Sequence, residues 1–424
     1  MTPTIREVRG REILDSRGHP TVEAELTLSN GTRVRASVPC GASTGRHEAH
    51  EVRDGDPERY HGLGVLAAVA AVNGELADLC RGREPEQRAI DDAMCRLDGT
   101  ADKSRLGANA ILAVSLAVAR AGAAVDGVPL WEHLAGGDAV PMPLPMVNII
   151  SGGLHAGRQL DFQDFLVIPL GAETFSRALE MVVGVHAAVG SILRARGLST
   201  LKADEGGYGP SLSGHRGALE LLDRGVELAG LRGGERIVYA LDVAATHFFD
   251  ERDGRYRLRS EDRELTADEL TAYIGGLAAA HPVVSVEDPL AEDDWPAWAR
   301  FTERLGDGMQ VIGDDLFTTN LGRLERGIAE RSANAVLVKM NQIGTLTETL
   351  DVVRRARAAG FRTVISARSG ETEDTALADL AVGSGAGQIK IGSVTQTDRL
   401  VKYNELLRIE ERLGSEAVLA GWPA

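Results

Sequence analysis

Three short apolar runs end in a carboxylate and a fourth ends in a lysine. They are Val238-Tyr-Ala-Leu-Asp242, Val283-Val-Ser-Val-Glu287, Val311-Ile-Gly-Asp314 and Val336-Leu-Val-Lys339. The three acids offer only oxygen, and no His or Cys accompanies them in these motifs. Such a donor set suits Mg²⁺, with Mn²⁺ as a substitute, better than Zn²⁺. Any one acid alone reads more simply as a helix N-cap or a surface ion pair. Three at successive strand ends read as a metal site. Beside a dication Lys339 gives up its proton more readily, because a like charge disfavours the ammonium, and a neutral amine is a general base.

Other residues have the right types at weaker positions. Lys390 ends the run Gln388-Ile-Lys390 after Gly383-Ser-Gly-Ala-Gly387. It suits a substrate carboxylate or a role in depressing Lys339, and equally an internal salt bridge. Glu205, in Asp204-Glu-Gly-Gly207 after a short apolar segment, is a candidate general acid, and the glycines allow close backbone approach. The same tetrapeptide is also ordinary turn chemistry. Arg368-Ser369-Gly370 follows a late strand, where an Arg and a Ser suit phosphate or phosphonate oxygens. A helix-capping loop with a surface Arg is the plainer alternative.

These residues need elements that bring them together. The intervals between the first four are 45 (287 − 242), 27 (314 − 287) and 25 (339 − 314). A strand with its returning helix takes roughly 25–45 residues, so the chain reads as successive βα units. Phe165-Leu-Val-Ile168, Leu201-Lys202 and Thr363-Val-Ile-Ser366 are further candidate strands. So many units over about 285 residues favour a closed (β/α)8 barrel over an open sheet. Before them, Thr21–Leu28 and Thr32–Val38 alternate in the strand period around Asn30-Gly31, a hairpin signal. Gly41-Ala-Ser-Thr-Gly45 reads as a mobile loop, and residues 108–124 as a helix apolar nearly all round. Gly136-Gly137 and Pro141-Met-Pro-Leu-Pro145 punctuate the chain. The expectation is an α/β chain, with an α+β capping domain over residues 1–137 and a barrel domain over 138–424.

Composition narrows the class. With 424 residues and 43% hydrophobic content, two domains and a large core are expected. A net charge of −16 argues against nucleic acid or an anionic membrane as partner. Cys40, Cys80 and Cys95 show no disulfide or zinc spacing, and the N-terminus has no apolar signal core. A soluble cytoplasmic enzyme with an anionic substrate is the expectation.

The motifs, in order, resemble enolase: Gly41-Ala-Ser-Thr-Gly45, Ala203-Asp-Glu-Gly-Gly207, Ser285-Val-Glu-Asp-Pro-Leu290, Gly313-Asp-Asp-Leu-Phe317, Lys339-Met-Asn-Gln-Ile-Gly-Thr345, Ser369-Gly-Glu-Thr-Glu-Asp374 and Gln388-Ile-Lys390. The resemblance runs from about residue 4 to Leu413. It implies an α+β domain capping a modified eight-stranded barrel, two Mg²⁺ ions per site and a homodimer or dimer-based oligomer. By this resemblance Asp242, Glu287 and Asp314 hold the first Mg²⁺ and Ser43 the second. Lys339 takes the proton α to the substrate carboxylate, and Glu205 protonates the departing hydroxyl. Lys390 meets the carboxylate, Arg368 and Ser369 hold the phosphate, and His155 belongs to a second mobile loop. A lysine base working with Mg²⁺ is the known pattern of enolase-superfamily sites.

The chain also departs from that pattern, close to the site. Ala367 stands where enolase has a histidine. Asp164, in Gln163-Asp-Phe165, stands for a glutamate that assists the general acid. Gln163 beside it is a candidate substrate-binding residue. Ser151 replaces asparagine, Leu154 a small polar residue, Cys40 a serine and His247 a glutamate. Because the changes cluster around the leaving-group half, the sequence favours a specialised member similar to carboxyphosphonoenolpyruvate synthase of phosphonate antibiotic pathways. Its substrates would be a phosphorylated or phosphonylated three-carbon anion and a CMP-activated phosphonoformate. The alternatives are an ordinary glycolytic enolase and a non-catalytic enolase-fold binding protein.

Overall fold

The computed structural model describes residues 2–422. The N-terminal part opens with an antiparallel sheet of β1 (Ile5–Leu14), β2 (Pro20–Leu28) and β3 (Arg33–Ser37). Gly31, at φ +90°, turns the chain between β2 and β3, as the Asn-Gly pair suggests. Val22, Ala24, Leu26 and Leu28 of β2 are buried at alternate positions. They meet the helix Ala108–Asp126, whose small and branched residues are buried on nearly every side. That helix and Phe175–Ala195 are long and apolar enough to cross a membrane. Within the fold, 83% and 50% of their apolar windows are buried.

From Leu144 the chain builds a closed barrel. Its strands are β4 (Leu144–Ser151), β5 (Asp164–Ile168), β6 (Val238–Asp242), β10 (Val283–Glu287), β11 (Gln310–Gly313), β12 (Ala335–Val338), β13 (Arg362–Ser366) and β14 (Gly387–Gly392). A small outer sheet of β7 (Phe249–Asp250), β8 (Arg255–Leu258) and β9 (Arg263–Leu265) intervenes. The barrel is thus closed, as the count of βα units predicts. It is not uniform: β5 runs antiparallel to both β4 and β6. The seam closes where β14 pairs with β4, Gln388 opposite Leu144.

The expected strand at Leu201-Lys202 does not form. Only an isolated bridge joins Lys202 to Tyr208, because the chain turns back at once through Gly206, at φ +86°. The lower barrel is plugged by side chains such as Met146, Ile168, Ile312, Leu337 and Val364. Beside them Gln310 and Gln388 exchange amide hydrogen bonds of 3.0 and 2.9 Å. A filled interior leaves the C-terminal mouth as the place for a site.

Candidate active site

The strand ends bring the predicted residues to that mouth. Asp242 closes β6 and lies opposite Glu287, the last residue of the adjoining β10. Asp314 follows β11, and Lys339 follows β12 and caps the short helix Met340–Ile343. Lys390 lies on β14 opposite Ser366. Lys390 Nζ donates to Asp242 Oδ2 and to Glu287 Oε2, both at 2.7 Å. Lys339 Nζ donates to Asp314 Oδ2 at 2.5 Å. Two ammonium groups therefore clamp the three carboxylates.

Asp164 and Gln163 arrive differently. They sit at the start of β5, yet they reach the mouth because that strand runs the other way. Asp164 is fully buried and its oxygens are all engaged. Oδ1 accepts from Asn148 Nδ2 at 2.5 Å and from Ser151 Oγ at 2.8 Å, and Oδ2 lies 2.9 Å from His155 Nδ1. On the other side, His155 Nε2 lies 3.9 Å from Glu205 Oε1. Burial pulls His155 down, but Asp164 and Glu205 more than offset it and lift the imidazole to about 9. Burial raises Glu205, and His155 with the cations Arg399, Lys390 and Lys339 brings it below the ordinary carboxylate range.

Two loops cover the mouth. Cys40 forms a backbone bridge with Gly370, which ties residues 41–51 to the loop after β13. Ala42 N donates to Ser369 Oγ at 2.7 Å, and Arg368 donates to the carbonyl of Ser43 at 2.8 Å. A Cβ on Gly41 would lie 2.0 Å from the Arg368 guanidinium, so only glycine allows this approach. The second loop, residues 152–161, delivers His155. The remaining cavity is lined by Ser43, His155, Gln163, Glu205, Asp242, Lys339, Ala367, Arg368, Ser369 and Lys390, and it offers about 10 Å³. That is room for about one water.

Every predicted site residue thus lies around one small cavity or is bonded to its walls. The three metal candidates are not gathered on a point. Among the described residues, ligand atoms from three residues come within 4.8 Å of one another at His155–Asp164–Glu205 and at Asp288–Asp314–Asp315. Burial and the neighbouring Asp242 hold Glu287 well above the ordinary range. Gln163 Oε1, beside Asp242, is buried with no hydrogen-bond partner. A crowded, oxygen-only acidic set with an orphaned carbonyl oxygen beside it fits a hard dication. Burial lowers Lys339, but Asp314 prevails and its pKa is raised, so in this arrangement it is held as an ammonium.

Three neighbours escaped sequence reasoning. Glu48 places its oxygens 3.1 Å from both terminal nitrogens of Arg368. Asn341 Oδ1 accepts from Arg368 at 2.8 Å, and Gln342 Nε2 donates to Asp314 Oδ1 at 2.8 Å. For the two amides the signal was present in the Lys339-Met-Asn-Gln motif, where they follow the lysine after one methionine.

Comparison with known proteins agrees with this geometry. Residues 5–134 match the family model of the enolase N-terminal domain, and residues 139–424 that of the enolase C-terminal TIM barrel domain. The chain is also 53% identical to the enolase of Mycobacteroides abscessus over 420 residues, which is 99% of this chain and 97% of that protein. With both domains matched and the barrel mouth built as described, the chain belongs to the enolase family and is an enzyme of its lyase class.

Proposed function

We propose that the chain is a phosphopyruvate hydratase, converting 2-phosphoglycerate to phosphoenolpyruvate and water. The observation that carries this reading is the placing of an amine, Lys339, and a carboxyl group with its histidine, Glu205 and His155, on the walls of one cavity closed by the 41–51 loop. The full-length identity to an enolase supports the ordinary reaction over the specialised one. Nothing in the comparisons supports phosphonate chemistry or a CMP-bound partner. Two of the substitutions form a connected network with a residue of the site: Ser151 and Asp164 bond each other, and Asp164 bonds His155.

In this reading Lys390 moves from its carboxylates to the substrate carboxylate, and Arg368 and Ser369 take the phosphate in place of Glu48 and Ala42. Lys339, released from Asp314, removes the proton α to the carboxylate. Asp242, Glu287, Asp314 and Ser43 would hold two Mg²⁺ ions, which would supply positive charge against the second negative charge that builds on the substrate carboxylate as its α proton leaves. Glu205 stands on the side of the departing 3-hydroxyl. It is held ionised here, so the proton for that hydroxyl is stored on His155, which faces Glu205. Asp164 holds His155 in place. A homodimer is the expected assembly.

The test is turnover of 2-phosphoglycerate with Mg²⁺, followed by the ultraviolet absorbance of phosphoenolpyruvate. A rate of roughly 10–100 per second is expected. Lys339→Ala should lower it about 10²–10⁴-fold, the usual contribution of a positioned base. Weak turnover that rises sharply in Ala367→His and Asp164→Glu would instead show that these positions serve another substrate, and phosphonoformyl-CMP would be tried next.

A further inference from the structure

Leu154 and His247, two departures from the family pattern, have no part in the reaction above. Both line a second cavity of about 300 Å³, between the 152–161 loop and the β7–β8 hairpin. Its apolar walls are Leu154, Leu160, Phe248 and Phe249. Three guanidinium groups reach it. Arg257 is neutralised by Asp250 at 2.8 Å and Glu264 at 3.4 Å. Arg158 and Arg259 are exposed, and among the described residues neither side chain has an ion-pair partner. Of the three acids on the wall, Asp250 and Glu251 pair with other arginines, and Asp161 accepts from the backbone N–H groups of Arg259 and Ser260 at 2.8 and 3.1 Å.

In a chain of net charge −16, two arginines without an ion-pair partner at a cavity with one apolar side are a specific arrangement. A charged head on an apolar body is what such a cavity complements. The substitutions point the same way. The glutamate of the family at 247 would have set a carboxylate against an anion, and a small polar residue at 154 would have left the wall wetter. His247 Nε2 is buried without a partner.

We propose that this cavity is a second ligand site, taking a small amphipathic anion: one phosphate, sulfonate or carboxylate head at Arg158 and Arg259, and a ring-sized body between Leu154 and the phenylalanines. Its occupant touches the supports of both loops over the active site. Leu154 adjoins His155. Glu251, also on the wall, pairs at 2.6 Å with Arg46 of the 41–51 loop.

The test is calorimetric titration of phenyl phosphate into Mg²⁺-loaded protein already saturated with 2-phosphoglycerate and its product. Saturable binding is expected. The double variant Arg158→Ala/Arg259→Ala should weaken it about 10-fold or more, the scale of charge-assisted hydrogen bonds. Leu154→Asp should abolish it, while Arg259→Ala alone keeps normal turnover. Absence of saturable heat up to about 10 mM, a very weak limit, would overturn the proposal. So would binding that the double variant leaves unchanged, or that substrate displaces. Inorganic phosphate binding as tightly as phenyl phosphate would also overturn it, since the apolar walls would then contribute nothing.

Discussion

His155 is the residue whose environment has the clearest measurable consequence. Its pKa rises from 6.5 to about 9 on folding, because Asp164 and Glu205 face a buried imidazole. A raised folded pKa stabilises the fold fully below pH 6.5, and that stability is lost as pH rises through about 9. A shift of this size corresponds to on the order of 3 kcal/mol. Urea unfolding in chelator at pH 6 and pH 9.5 should show that loss in the parent and much less of it in His155→Gln. Equal losses in both would remove His155 from the account. Cys40 is raised as well, but toward its neutral form. Burial and Glu51 push its thiol up to about 11, although Arg53 lies 2.8 Å from Sγ. Native protein should therefore resist iodoacetamide at Cys40 at pH 8, and denatured protein should react. Both environments were beyond sequence reading. Residue type gave Lys339, Glu205 and the acids, but neither the Asp314 partner that holds Lys339 charged nor the cations that hold Glu205 ionised follows from spacing.

At the scale of elements, the legible part was whatever obeys the rule that mouth residues sit at the C-terminal ends of barrel strands. Asp242, Glu287, Asp314, Lys339 and Lys390 obey it. Asp164 and Gln163 do not, because β5 is reversed and its first residues face the mouth. A run such as Phe165-Leu-Val-Ile168 carries no mark of direction, so only the family resemblance placed them. Leu201-Lys202 failed for another reason: two residues before a glycine turn are too few to pair as a strand. The loop over residues 41–51 makes its own prediction. Gly41→Ala would drive a methyl into Arg368 and lift the loop from Ser369. Misplacement near 1 Å is costly to catalysis. Turnover per bound substrate and KM should both suffer, with kcat/KM falling about 10–100-fold while circular dichroism is unchanged. A kinetically silent Gly41→Ala would mean that the loop does not close in this way.

Across the whole molecule, the cap and the barrel share polar contacts, and the two are expected to unfold together. Asp91 of the cap accepts from Thr347 N of the barrel at 3.0 Å, and Ser115 Oγ accepts from Leu346 N at 3.0 Å. Arg120 pairs with Asp374 at 2.7 Å. Asp91→Ala leaves a buried barrel N–H unsatisfied, a loss of about 1–3 kcal/mol. Calorimetry should show a single transition moved to lower temperature. Two separated transitions in the parent would show that the seam is not what holds the parts together. The barrel seam has a consequence in time. Gln388 of β14 meets Leu144 of β4, 244 positions earlier in the chain (388 − 144). At a synthesis rate of about 5–20 residues per second, β4 leaves the ribosome roughly 12–50 s before its last neighbour exists. Throughout that interval an apolar strand edge is open, and its pairing groups are free to find another chain. The strand that ends the exposure also carries Lys390. A chain stalled before it has neither a closed barrel nor a site, so the burden of protecting the nascent protein falls on whatever shields β4 until its final few dozen residues appear.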